Sequence, residues 1–306
     1  MKICIAVLLA TLFHCSPLLA WSRPGHMVTA AIAYEELNAN DRKVLERIIA
    51  LAERHPDRGA FEVAIAGAKG DERGRRIFLE LARWSDDIRG SIHDHPTWHY
   101  SSRPLINKAS PPAKAPEDIA QGSAIEAFAL NLSVVADERA SAPERAIALS
   151  WVFHLVGDMH QPLHSVSQFS ERFPEGDRGG GLQFVRDPKT NEPVSLHSYW
   201  DDAVNREGSM DEATRRASEL LRKFPRSQFK ELKPFQAASE MSAWTQESYQ
   251  LANTIGYGPE LTASDAAEQA TVPSPRYLEL STTTAEKRLT LASYRLAEVL
   301  RRVFKD

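Results

Sequence analysis

Once its first 20 residues are set aside, the 306-residue chain has no cysteine: Cys4 and Cys15 both fall within that stretch. The remainder can form no disulfide and offers no thiolate as nucleophile or metal ligand. The apolar run from Ile3 to Phe13, interrupted by Thr11 alone, is too short to span a bilayer. The formal charge is -4, with 37 Lys and Arg against 41 Asp and Glu, so the excess of cations expected of a duplex-binding protein is missing. No internal repeat, low-complexity tract or linker divides the sequence. The Gly179-Gly180-Gly181 run is not a phosphate loop, because no Gly-Lys-Ser/Thr follows it.

Residues 1–20 carry a lysine, the apolar run and a small-residue end at Ala20, the three-part pattern of a cleavable signal peptide. Cleavage after Ala20 implies a periplasmic or secreted protein without a membrane anchor, beginning at Trp21 and carrying a net charge of -5, since Lys2 is the one charged residue removed. A disulfide-free exported chain of this length must rely on an ample core and on bound metal. The sequon Asn131-Leu132-Ser133 lies in a helical pattern and is read as chance rather than as a glycan site.

Periodicity predicts an all-α, single-domain, multi-helix fold over residues 21–306 with one small β-hairpin. Two helices are expected between His26 and Arg54, broken at 38–41. Others are expected over 74–89, 121–136, 142–159, 199–205, 211–224, 235–257 and 278–303. Lys108 to Asp118, with three prolines, reads as an irregular connection, and residues 165–195 as the hairpin, with a short strand at 182–185 and a turn at 187–193.

The chemistry-bearing residues are histidines and aspartates. His154 and Asp158 are four apart and project from one face of a helix, Pro162 ends that helix before His164, and His197 and Asp201 repeat the spacing on another. Imidazole and carboxylate suit zinc, and two such helical pairs can build a cluster between them. Apolar neighbours on both sides of His154 imply that it and Asp158 are buried and need a partner, which a metal supplies. Asp86 and His99 each follow a tryptophan closely, as at the wall of an apolar core. His55, His93, His95 and His160 are read as surface, loop or supporting residues. Trp21 would gain a free amine on cleavage, able with its own carbonyl to chelate a metal, and His26 stands close by.

With WSRPGH, RWSDDIR, WHY, FHLVGDMHQPLH, LHSYWD, WTQESYQLA and LASYRLA in this order, the mature chain resembles throughout its length the zinc-dependent single-strand nucleases of the S-one/P-one type, within a superfamily shared with zinc phospholipases C. The resemblance implies three zinc ions: one on Asp86, His99, His154 and Asp158, a close neighbour on Trp21, His26 and the bridging Asp158, and a third on His164, His197 and Asp201. Three zincs against three ligand carboxylates leave about three positive charges, enough to draw a phosphate into an acidic protein. The expected reaction is in-line attack on phosphorus by an activated water that Asp86 helps to orient. The third zinc would stabilise the departing 3′ oxygen, giving 5′-phosphate ends and accompanying 3′-nucleotidase activity. Tyr100 is a candidate platform for an unpaired base, and Lys108 or Arg103 a candidate for phosphate contact. A zinc phospholipase C is the alternative, disfavoured by the five-residue step from Trp21 to His26 and by Asp201 as last ligand where that branch has Glu. A non-catalytic zinc-binding protein is the alternative of another class. The chain departs from the family pattern at Gly181, where Asn often follows the glycine pair, and at Asp202, which bears on base preference.

Overall fold

The computed structural model describes residues 21–305, so the expected signal segment and its cleavage point lie outside the described residues. Ten helices make up most of it: α1 (Arg23–Asn40), α2 (Arg42–Ala52), α3 (Arg58–Ile65), α4 (Gly70–Asp87), α5 (Ala124–Ala136), α6 (Ala142–Asp158), α7 (Leu196–Asp201), α8 (Met210–Lys223), α9 (Glu240–Leu251) and α10 (Pro275–Phe304). Among the described residues, none of these helices is long and apolar enough to cross a membrane.

The centre of the fold is α1, buried continuously from Pro24 to Tyr34 and packed on α4, α8 and α10. A helix apolar around its whole circumference must be enclosed by others. The same holds for α6, buried without a break from Ala148 to Asp158 and lying against α4 and α5. It starts with a reciprocal cap, in which Ser141 Oγ accepts from Glu144 N while Glu144 Oε2 accepts from Ser141 N at 3.0 Å, and Pro143 occupies the first turn. The 30-residue α10, about 45 Å long, opens on Ser274, whose hydroxyl accepts from Tyr277 N, and packs on α1, α2 and α6. By contrast α8 is two-faced, burying Ala213, Ala217 and Leu220 and turning Arg215 and Arg222 outward.

Among the described residues there are two small, two-stranded sheets. The expected hairpin is present, shifted along the chain: β3 (Phe184–Arg186) pairs antiparallel with β4 (Pro193–Ser195). Not expected is a parallel pair, β1 (Arg103–Ile106) with β2 (Val166–Phe169), which joins segments about sixty residues apart. Pro104 is tolerated in β1 because a two-stranded sheet leaves each strand with a free edge. The short α3 was also not expected. The helix predicted over 235–257 is shorter: α9 covers Glu240–Leu251 and runs into a π turn, Ala252–Gly256. Asn131 is buried in α5 and donates to Ala127 O at 2.8 Å, while Ser133 of the same sequon is exposed.

Candidate metal centre

The aspartates of interest stand at helix ends: Asp86 in the last turn of α4, Asp158 at the end of α6 and Asp201 at the end of α7. His154 lies one turn before Asp158 and His197 one turn before Asp201, so each pair shares a helix face as the four-residue spacing requires. His26 enters from the first turn of α1. His99 and His164 close short 3₁₀ turns at Pro96–His99 and Pro162–Ser165, where a proline sets each turn after the chain leaves a helix or loop.

The structure brings eight of these side chains into three groups: His26, His154 and Asp158; Asp86, His99 and His154; and His164, His197 and Asp201. Within each group the ligand atoms lie within 4.8 Å of one another, and all eight residues are buried. The first two groups share His154. Asp158 straddles them, with Oδ1 at 3.1 Å from His26 Nε2 and Oδ2 at 3.2 Å from His154 Nε2 and 3.3 Å from His99 Nδ1. The third is slightly wider, with Asp201 at 3.7 Å from His164 Nε2 and 3.6 Å from His197 Nε2. Tetrahedral ligand atoms around a zinc ion stand roughly 3.3 Å apart, close to these spacings.

Three backbone carbonyls aim the imidazoles. His154 Nδ1 donates to Ala82 O at 3.0 Å, His164 Nδ1 to His99 O at 2.6 Å and His197 Nδ1 to Gly179 O at 2.8 Å. In that tautomer each Nε2 presents its lone pair inward, the arrangement by which supporting groups orient metal ligands. Two close approaches depend on glycine. A Cβ on Gly157 would stand 2.8 Å from His26 Nδ1, and one on Gly179, whose φ is +62°, would stand 2.5 Å from Leu163 O. Trp21 is buried beside His26 and its indole donates to Gly157 O at 3.0 Å.

Protein groups alone do not satisfy this cluster. His26 Nε2, Asp86 Oδ2, both Asp158 oxygens, His164 Nε2 and Asp201 Oδ2 are buried without an aligned hydrogen bond, although several lie near an oppositely charged group. His99 Nδ1 and His154 Nε2 face each other at 2.9 Å, a confrontation of lone pairs unless a proton or cation lies there. Burial drives Asp201 well above the usual carboxylate range, the nearby His197 and the Gln161 amide at 2.7 Å offsetting it only in part. Burial acts in the same sense on Asp158, but the charge of His154 and contacts from His154, His26 and His99 outweigh it and hold the carboxyl well below that range. Desolvation pushes His26 down to about 4, whereas His154, for which Asp158 and Asp86 overcome the same penalty, rises to about 9. Orphaned buried polar atoms on ligand-type side chains at this spacing fit bound metal ions.

Sequence reasoning missed Arg89, whose Nη2 donates to Asp86 Oδ1 at 2.9 Å, although it stands in the quoted RWSDDIR. The supporting carbonyls have no residue-type signal. Tyr100 follows His99 and is half-buried, its carbonyl accepting from Ala124 N. Lys108 is exposed in the turn beyond β1, which carries the chain roughly 13 Å onward from Ser101, whose N donates to His164 O. Arg103 is paired with Asp118 at 2.8 Å. None of the four histidines set aside as surface, loop or supporting residues enters the three groups. His95 stacks on Trp98 and His93 is half-buried, but His55 and His160 are fully buried rather than superficial. His55 packs on Phe61 and Trp84, and His160, whose Nδ1 donates to Val156 O, accepts at Nε2 from Arg295 Nη1 at 2.9 Å.

A helical bundle enclosing three adjoining His/Asp groups, each able to hold a metal ion, fits the class of metal-dependent hydrolases. The family model of S1/P1 Nuclease matches residues 21–305, and the chain belongs to that nuclease family. Among curated proteins, none matches the sequence.

Proposed function

We propose that the chain is an exported three-zinc endonuclease that cleaves single-stranded DNA or RNA to 5′-phosphate ends and also acts on 3′-nucleotides. The observation that carries this reading is the division of Asp158, one oxygen toward His26 and the other toward His99 and His154. That is the disposition of a carboxylate shared by two ions. Asp86, His99, His154 and Asp158 would hold one zinc, and His26, Asp158 and the amine and carbonyl of Trp21 its neighbour. His164, His197 and Asp201 would hold the third. The His164-to-His99 carbonyl bond sets this last group against the first two. Bound zinc ions supply Lewis acidity toward phosphoryl oxygens and make an activated water available at neutral pH.

The chain's own residues supply placement. Asp86, steadied by Arg89, orients the attacking water toward phosphorus. Gln161, donating to Asp201, keeps the third corner in register where the 3′ oxygen departs. Tyr100, half-exposed next to His99, offers a ring on which an unpaired base stacks, which favours single strands over a stacked duplex. Lys108, in the turn beyond β1, meets the backbone of a longer strand rather than the phosphate at the centre. Export follows from the leader, and removal of the leader is what frees the Trp21 amine.

The test is hydrolysis of single-stranded DNA and RNA, duplex DNA and phosphatidylcholine by protein beginning at Trp21, alongside its zinc content. The expected result is three zincs, a strong preference for single strands and 5′-phosphate products. Cleavage of phosphatidylcholine in preference to nucleic acid, or three zincs without turnover of any phosphoester, would overturn it.

A further inference from the structure

Outside the metal ligands, Asp177 is a buried carboxyl with several hydrogen-bond partners behind the third group. It is fully buried, and it accepts hydrogen bonds from Gln168 N at 2.8 Å, from Gln183 Nε2 at 2.8 Å and from the Tyr257 hydroxyl at 2.7 Å. Its own N–H donates to Gln168 O, and its carbonyl accepts from Leu182 N at 3.1 Å. A carboxylate with this many partners fixes its backbone tightly.

What it fixes is a costly piece of chain. Arg178, Gly179 and Gly180 follow with φ of 58°, 62° and 83°, three successive residues in the left-handed region. Arg178 is the expensive one, since a side chain there costs energy that surrounding contacts must offset. The yield of this conformation is two carbonyls aimed at α7: Gly179 O accepts from His197 Nδ1 at 2.8 Å, and Gly180 O accepts from His197 N at 3.3 Å. Both the ring and the backbone of His197 therefore hang on the turn that Asp177 holds.

Tyr257 closes the π turn that ends the α9 segment, and π turns of this kind occur frequently at functional sites. The same turn reaches α7 by a second route. Gly256 O accepts from the Tyr277 hydroxyl at 2.9 Å, and that hydroxyl accepts from Trp200 Nε1 at 2.9 Å, one residue before Asp201. The π turn thus braces α7 twice, through Tyr257 and Asp177 behind His197, and through Tyr277 and Trp200 beside Asp201.

We infer that Asp177 and Tyr257 are positioning residues for the zinc held by His164, His197 and Asp201, setting its affinity through the Gly179 carbonyl without touching it. The inference rests on the assignment of a zinc to those three residues. Loss of a direct supporting partner of a metal-binding histidine costs 10- to 100-fold in metal affinity; Tyr257 acts on that partner, the Gly179 carbonyl, through Asp177, so Tyr257→Phe, which deletes one hydroxyl, should weaken one of three zincs by a few-fold, up to about 10-fold. Asp177→Asn should weaken it by up to about 100-fold, leaving the other two zincs unchanged.

The test is competitive chelator titration of zinc on protein beginning at Trp21, for wild type, Y257F, D177N and H197A, with melting of the metal-free forms measured in parallel. The expected result is selective weakening of one zinc in Y257F, little change in its metal-free melting temperature, and no additional loss when Y257F is combined with H197A. Should D177N fail to fold, Y257F decides. A purely structural role lowers the metal-free melting temperature and leaves all three zinc affinities at wild-type values, which overturns the inference alone. A wild-type chain that takes up fewer than three zincs overturns it together with the zinc assignment.

Discussion

Gly157→Ala separates geometry at the centre from stability of the fold. The added methyl would lie 2.8 Å from His26 Nδ1 and 3.0 Å from Cε1, whereas ordinary contacts begin at 3.4 Å. His26 must therefore retreat by roughly 0.6 to 1 Å. It has little room, because its ring is stacked on His154 with centroids 3.9 Å apart and Trp21 is buried beside it. Metal–ligand distances tolerate only about 0.2 Å, and a misplacement of about 1 Å costs on the order of 100-fold in rate. Stability moves much less. Overpacking costs about 1–3 kcal/mol, while alanine in place of glycine within a helix returns about 1 kcal/mol. The variant should melt within a few degrees of wild type in its metal-free form, lose the zinc assigned to His26 and retain at most about 1% of nuclease activity. Zinc analysis, single-strand hydrolysis and melting curves measure the three effects. Full activity with three zincs in G157A would refute the reasoning that His26 is a ligand wedged against α6.

Removal of metal by a chelator should abolish hydrolysis, and zinc should restore it; metal removal should also lower stability by several kcal/mol, since each orphaned buried polar group costs about 1–3 kcal/mol. Activity that persists in excess chelator refutes metal dependence. Tyr100→Ala should raise KM for single-stranded oligonucleotides about 5- to 150-fold, from a stacking contribution of about 1–3 kcal/mol per base, with kcat little changed; an unaltered KM removes Tyr100 as platform. Burial lifts the Glu80 carboxyl from 4.5 to about 7, so the folded chain holds this proton where the unfolded chain has released it. The resulting stability is complete below pH 4.5 and is lost as pH rises toward 7. Glu80→Gln should therefore raise urea stability at pH 8 relative to wild type by about 1–3 kcal/mol, with a smaller difference at pH 4.5; equal differences at both pH values contradict it.

Sequence patterns revealed those parts of the fold and site whose cause is local. The helical periodicity over 142–159 and the step of four between His154 and Asp158 place a helix and give its face, because periodicity acts within a few residues. The pairing of β1 with β2 was hidden because four-residue strands containing a proline carry little signal, and their register depends on segments brought together by the bundle. His55 and His160 show the limit of residue type as a guide to burial. The first is enclosed by Phe61 and Trp84, and the second faces Arg295 from 135 residues away. The carbonyls of Ala82, His99 and Gly179 were invisible for a simpler reason: every residue has one, and only the fold selects which three meet the imidazoles.

The helix ends explain why an acidic chain can depend on its ions for substrate binding as well as for chemistry. The final turns of α4, α6 and α7 supply Asp86, Asp158 and Asp201, so three C-terminal ends converge, against one N-terminus, that of α1 through His26. Each helix end carries about half an elementary charge, negative at the C-terminus. With the carboxylates added, the bare centre attracts cations and repels phosphate. Filling it with zinc reverses that sign, so metal loading and polyanion binding are coupled. Binding of a short, uncleavable phosphorothioate single strand should accordingly fall at least tenfold when chelator is added, an effect on affinity measured apart from turnover. The loss should remain on the same order at higher ionic strength, because a buried centre is screened far less than surface charges. Equal affinity with and without metal would place strand binding on the outer surface and deny the helix ends this role.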